Sequence, residues 1–299
     1  MSATPHLEAK AGRFNSGTNG NRASNAPRDA SGRTGSESAR PSRPDGSFAS
    51  AVRAEALKSR HAAPVRLAVI MAVPFPSLAL INALANPQFG VSFSPWNYWY
   101  ALLLAVTLSL VSACVAAADA HLKLRPLLSA GAPPARAWWA KSAWCLALSL
   151  VSNLIVFALY AVATAACGEA SPASMTTMLA ATLVITLSSS WMIPATLFLT
   201  ARFGMLAGIF IPLVVQIAGA FSWSLVPYWP AFPPTATVVA PTAFLPVLPT
   251  AEPLSAGIEV ASALGLTAAN VAIALGVAAA AFVALTAAGA AWLNRAEER

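Results

Sequence analysis

The chain has 299 residues, of which 57% are hydrophobic and only 10% charged, with a net charge of +7 and a mean hydropathy of +0.64. A soluble globule of this size carries about a quarter charged residues, so the composition excludes an ordinary water-covered domain and puts most of the chain in lipid. The excess of 18 Lys and Arg over 11 Asp and Glu points to a membrane-side sorting of cations rather than to nucleic acid, for the reason given below.

Residues 1–47 are dominated by Ser, Gly, Asn, Pro, Ala and Arg and lack the large apolar side chains that build a core. They predict a disordered basic tail. It has no apolar run before a small-residue cleavage site, so it does not read as a secretory signal peptide. Residues 48–299 form the second region. It begins with FASAVRAEALKSRH, in which Phe48, Val52, Ala56 and Leu57 alternate with Arg53, Glu55, Lys58 and Arg60 at helical spacing. This predicts an amphipathic helix lying along the inner membrane face, its apolar set toward the membrane, before Pro64 redirects the chain.

Six apolar stretches follow, at about 67–85, 98–118, 144–166, 178–199, 205–226 and 267–293. Each approaches the ~20 residues that bridge ~30 Å of hydrocarbon. The runs are continuous rather than alternating, which predicts an all-α, six-span membrane protein and not a barrel. Thr200 to Gly204 is all that separates spans four and five, so a tight hairpin forms around Arg202 and Gly204. With an even number of spans and both termini in the cytoplasm, all 18 Lys and Arg fall on one side: eleven before span one, four between spans two and three, then Arg202, Arg295 and Arg299. The opposite loops carry Glu169, Glu252 and Glu259 as their charges. This is the positive-inside pattern of a membrane protein whose cationic side faces the cytoplasm.

Three connections stand out. NPQFGVSFSPWNYWY (86–100) places Trp96, Tyr98, Trp99 and Tyr100 as an aromatic anchor at the outer interface. The inner stretch DAHLKLRPLLSAGAPPARAWWAK (119–141) reads as a helical elbow: Leu122–Leu128 is short, basic and apolar, Gly131, Pro133 and Pro134 end it, and Ala135–Lys141 starts a second amphipathic turn. The alternative is that its cations only fix topology. After span five, VPYWPAFPPTATVVAPTAFLPVLPTAEPLSAGIE is too rich in proline for a spanning helix and too apolar for a wet loop. It predicts a re-entrant or interface-hugging segment packed on the outer side of the bundle, with Tyr228 and Trp229 in the aromatic belt.

The chemistry of bond-making is missing from the pattern. His6, His61 and His121 lie in the tail or at the inner surface, no H-E-x-x-H or paired intramembrane aspartates occur, and no G-x-x-x-x-G-K-[ST] could cradle nucleotide. Cys114, Cys145 and Cys167 lack C-x-x-C spacing and read as small buried side chains. The chain is therefore expected to be no enzyme and to bind no cofactor, leaving any ATP and Mg to a partner. Inside the spans the polar groups reduce to hydroxyls and the amides Asn82, Asn153 and Gln216, with Asn270 near the outer end of span six. Without a buried acidic relay, ion-coupled transport is disfavoured. Asn82, Asn153, Gln216, Trp96 and Trp99 are the candidates for lining a substrate path; the alternative is that the amides bond helix to helix.

Four segments carry a family resemblance: the A-E-A-L-K-S-R helix before span one, S-P-W-N-Y-W-Y before span two, K-L-R-P-L-L-S…R-A-W-W-A-K after it, and the W-P…P…A-P…L-P-V-L-P run after span five. Over about residues 48–295 the chain resembles permease subunits of type-2 ABC exporters, most of all the lantibiotic and bacteriocin immunity permeases. It departs from them in having Thr237 or a neighbour where the group tends to show arginine, and Thr250-Ala251 where it tends to show Asn-Gly. The resemblance implies two permease chains, identical or paralogous, over two copies of a cytosolic ATPase. It implies that Lys123, Arg125, Pro126, Leu127, Leu128 and Arg136 couple to that ATPase and that a hydrophobic or cationic peptide is expelled from the membrane. Export of another cargo, such as a drug, an antibiotic or a lipid-linked sugar, is the nearest alternative, and a non-transport membrane scaffold the more distant one.

Overall fold

The computed structural model describes residues 47–60, 62–120, 133–167 and 172–297. The fold is built from helices, and the lone extended pairing among the described residues is a bridge between Val247 and Pro253. Helix α1 (Phe48–Ser59) starts at Ser47, whose hydroxyl accepts the Ser50 N–H at 3.2 Å, which satisfies one of the free donors of a first turn.

Prolines then set where the helices bend. α2 (Ala63–Met71) and α3 (Pro74–Ala85) make up the first crossing, interrupted at Ala72–Val73. Pro74 has no N–H for the Ile70 carbonyl, and its ring collides with that turn. The second crossing contains α4 (Ser94–Tyr98), a π-helical turn Trp99–Leu103 and α5 (Leu104–Ala120). α6 (Pro134–Cys167) runs 34 residues without a break. α7 (Met175–Ser188) and α8 (Met192–Phe203) are parted at Ser189–Trp191, just ahead of Pro194. α9 (Met205–Phe221) carries Pro212 in its interior, α10 (Pro233–Val239) and α11 (Ile258–Ala263) are short, and α12 (Ala268–Glu297) is continuous through 30 residues.

Five stretches are long and apolar enough to cross a membrane: Ala63–Ala85, Ser94–Ala118, Pro134–Cys167, Met175–Phe203 and Ala268–Arg295. The fifth crossing expected from sequence, 205–226, is shorter than that. Its helix stops at Phe221 after 17 residues, a rise of about 26 Å, and the chain passes through a 3-10 turn at Trp223–Leu225. The turn at Gly204, where φ is +97°, joins α8 to α9 as a packed hairpin, in a conformation that suits a residue without Cβ.

Long-range contacts fix the threading. Ser152 donates to the Ala68 carbonyl at 2.8 Å, Phe198 meets Trp292 edge-on at 5.6 Å, and Tyr160 donates to the Ser92 carbonyl at 3.2 Å. Successive crossings therefore run antiparallel and gather their ends at two poles. The eight Lys and Arg of the described residues (Arg53, Lys58, Arg60, Arg66, Arg136, Lys141, Arg202 and Arg295) lie at one pole, and Glu252 and Glu259 lie at the other. The core between them is dominated by Trp96, Trp99, Trp138, Tyr100 and Tyr160, all fully enclosed.

On α1, Phe48 and Leu57 are exposed, whereas Glu55 and Ser59 are buried against the bundle, where Glu55 meets a buried cation on α6, described below. One expectation is corrected here. Ala135–Lys141 is not a separate amphipathic turn, because it is the continuous beginning of α6. The rest of the elbow, with Lys123, Arg125, Pro126, Leu127 and Leu128, lies outside the described residues, as do residues 1–46 of the tail.

Candidate functional site

At the cationic pole, Lys141 is 1% exposed, and its ammonium donates to Glu55 Oε2 at 3.0 Å and to the Val115 carbonyl at 3.4 Å. The other oxygen of Glu55 accepts from Lys58 at 2.8 Å. One carboxylate thus ties α1 to the start of α6 and, through the same ammonium, to the end of α5. A pair like this is enclosed from water, so each charge depends on the other for compensation. Arg136 stands about one and a half turns before Lys141 on α6 and is half-buried. On the adjoining side Gly289 of α12 lets the backbone approach the Trp138 indole, where a Cβ would come within 2.5 Å of Nε1.

At the opposite pole the proline-rich segment after α9 turns back into the bundle. From Pro234 to Thr242 every residue is buried. α10 packs among α7, α9, α12 and the π turn of the second crossing. Pro233 and Pro234 occupy its first turn, where no N–H is needed. Two side-chain bonds anchor it: the Gln216 amide donates to the Pro234 carbonyl at 3.0 Å, and the Thr235 hydroxyl donates to the Gly219 carbonyl at 3.1 Å. Gly219 is required, because a Cβ there would overlap the Pro234 ring. The segment leaves the bundle through a turn at Leu248–Glu252 in which Ala251 adopts φ +70°. α4 clasps that turn, Asn97 donating to the Leu248 carbonyl at 3.0 Å and Ser94 to the Ala251 carbonyl at 2.5 Å.

Between the poles the π turn aims Trp99 inward, and its indole N–H donates to Asn153 Oδ1 at 2.9 Å. Asn153 passes its own amide hydrogen to Thr186 at 3.0 Å, so one amide links the second, third and fourth crossings. Trp96 packs against Tyr160 with ring centroids 4.5 Å apart and against Phe93 at 6.0 Å. The interfacial anchor expected of this motif is therefore corrected: Trp96, Trp99 and Tyr100 are core residues and only Tyr98 is exposed. Rings this large reach the interior because the extra residue of a π turn rotates the chain ahead of it.

The five candidates for a substrate path do not form one lining. Trp99 and Asn153 share a network, Trp96 belongs to the neighbouring aromatic cluster, Gln216 holds the inward segment, and Asn82 is exposed beside Asn86 on a crevice of about 500 Å³ between the 89–94 and 246–255 loops. A second cleft, of about 540 Å³, opens between Trp223–Pro230 and the start of α12. Sequence reasoning missed Glu55, Lys141, Gly219 and Thr235 as a set, since their partners are remote along the chain; the lone acid within a basic helix was the available signal for the first.

Among the described residues no three His, Cys, Asp or Glu side chains come together. The arrangement comprises a buried ionic tie at one pole, an inward-folded proline-rich segment at the other, and interrupted crossings between them. No protein-family model, curated protein or solved structure matches this chain.

Proposed function

We propose that the protein is the membrane-embedded subunit of an ATP-driven exporter of the type-2 ABC class, expelling an amphiphilic peptide of the lantibiotic or bacteriocin kind from the membrane. In this reading α9 and its following turn make a sixth crossing, both termini face the cytoplasm, and a second permease chain completes the pathway. The observation that carries it is the ionic tie: Glu55 and Lys141 join α1 and α6 beside the elbow at 121–132, so a push on that elbow reaches two helices at once. ATP and Mg belong to a cytosolic ATPase that grips Lys123, Arg125, Pro126, Leu127, Leu128 and Arg136. The inward segment 229–251 then serves as the movable outer element.

The test is co-purification. Arg125→Glu, or Leu127→Asp with Leu128→Asp, is expected to strip the ATPase from the permease while the permease still inserts; full retention of an active complex would overturn the coupling role. Cargo is decided by the gene neighbourhood: a lantibiotic precursor beside an ATPase supports peptide immunity, and glycosyltransferases support a lipid-linked sugar.

A further inference from the structure

The cleft at the acidic pole has chemistry that the exporter reading does not use. Its walls include Trp223, Tyr228, Trp229, Leu264 and Asn270, with Pro227 and Pro230 between the rings. Trp229 is buried and its indole N–H is already engaged, donating to the Leu264 carbonyl at 2.8 Å, which fixes that ring in the wall. The Asn270 amide donates to the Gly265 carbonyl at 2.8 Å, leaving Oδ1 as an acceptor. Tyr228 is half-exposed at the rim. Among the described residues no cationic side chain lines the cleft, and the nearest charge along the chain is Glu259, next to the lining residue Val260.

Three aromatic rings and an amide oxygen select for positive charge. Ring faces attract ammonium groups, most strongly where water is thinned out. A group without hydrogen-bond acceptors suits a wall whose buried indole N–H is already engaged. A volume of about 540 Å³ is that of a small-molecule site.

We infer that the cleft formed by Trp223, Tyr228, Trp229 and Asn270 binds a quaternary ammonium group. Two sources supply this chemistry: the choline headgroup of a phospholipid and a soluble organic cation. The inference stands on the cleft alone, and its test uses the full chain without an ATPase, so failure here leaves the exporter reading untouched.

The experiment compares two isosteres, phenyltrimethylammonium and uncharged tert-butylbenzene, by tryptophan fluorescence on the full chain in a maltoside detergent. The cation is expected to bind at least about tenfold more tightly. Tyr228→Leu and Trp223→Leu each weaken it severalfold. Ser224→Lys, at an exposed position on the rim, abolishes it through repulsion and keeps the test open where removal of a ring prevents folding. Displacement of the probe by lysophosphatidylcholine but not lysophosphatidylglycerol assigns the lipid source, and displacement by neither assigns the soluble cation. Equal affinity for the two isosteres, an unchanged affinity in Ser224→Lys, or equal displacement by both lysolipids overturns the inference.

Discussion

At Lys141 the chain commits a full charge to the interior, and the cost of separating it from Glu55 is the largest single-residue effect expected in the molecule. Removing Lys141 leaves the buried Glu55 carboxylate to the half-exposed Lys58, at up to about 3–5 kcal/mol. Lys141→Met is therefore expected to lower the melting temperature in detergent markedly. The double change Glu55→Leu with Lys141→Met recovers most of the loss, because two apolar side chains leave no orphan charge. Equal destabilisation by single and double changes would show that the tie itself is worth little. A smaller effect sits at Ala251, whose φ of +70° belongs to the left-handed region that costs an L-residue about 1–2 kcal/mol. Ala251→Gly should raise stability by about 0.5 kcal/mol after the entropy of a freer unfolded chain is subtracted. Ala251→Val should lower it by more than about 1 kcal/mol; the check is the order of the three melting temperatures.

The inward segment is held at few places along α10 itself. Its seat is the close approach of Gly219 to Pro234 and the bonds from Gln216 and Thr235. A leucine at 219 has no room beside Pro234, so Gly219→Leu should push α10 out of the bundle without touching the ionic tie at the other pole. A cysteine at Thr237, 1% exposed, in a background lacking the native cysteines reports this. It should resist a bulky maleimide in the parent and react quickly when Gly219→Leu is added. Unchanged protection in the double variant would show that the segment is held elsewhere. At this scale the sequence was partly transparent. Prolines at 227, 230, 233, 234, 241, 246 and 249 ruled out a spanning helix, and the apolar residues among them ruled out a wet loop. The depth of burial was hidden because it rests on Gln216, Gly219 and the π turn, none of which advertises its partner.

Across the whole molecule, the sorting of charge into two poles predicts labelling. A cysteine at Thr250, exposed at the acidic pole, should react with a membrane-impermeant maleimide in intact cells. A cysteine at Ser50, exposed on α1, should react only after permeabilisation. The reverse pattern would invert the protein in its membrane and remove the elbow from any cytosolic ATPase. The crossings themselves could be read from apolar run length, since lipid imposes that pattern on every spanning helix alike. Their interruptions could not, because a proline within a membrane helix bends it only when neighbouring groups satisfy the freed carbonyl. The burial of Glu55 was hidden for a related reason. Periodicity assigns Glu55 to water, and an ammonium 86 positions away makes its burial tolerable.

The two long uninterrupted helices, α6 and α12, lie side by side with Gly289 seated on Trp138, whereas the other apolar helices are broken at Ala72–Val73, wound into a π turn at Trp99–Leu103, parted at Ser189–Trp191 or carry Pro212. Uninterrupted struts carry load over their whole length, and jointed ones give way at the joint. On the proposed export role, force delivered at Pro134 would run along α6 and α12 together, and the flexing would fall to the members around them.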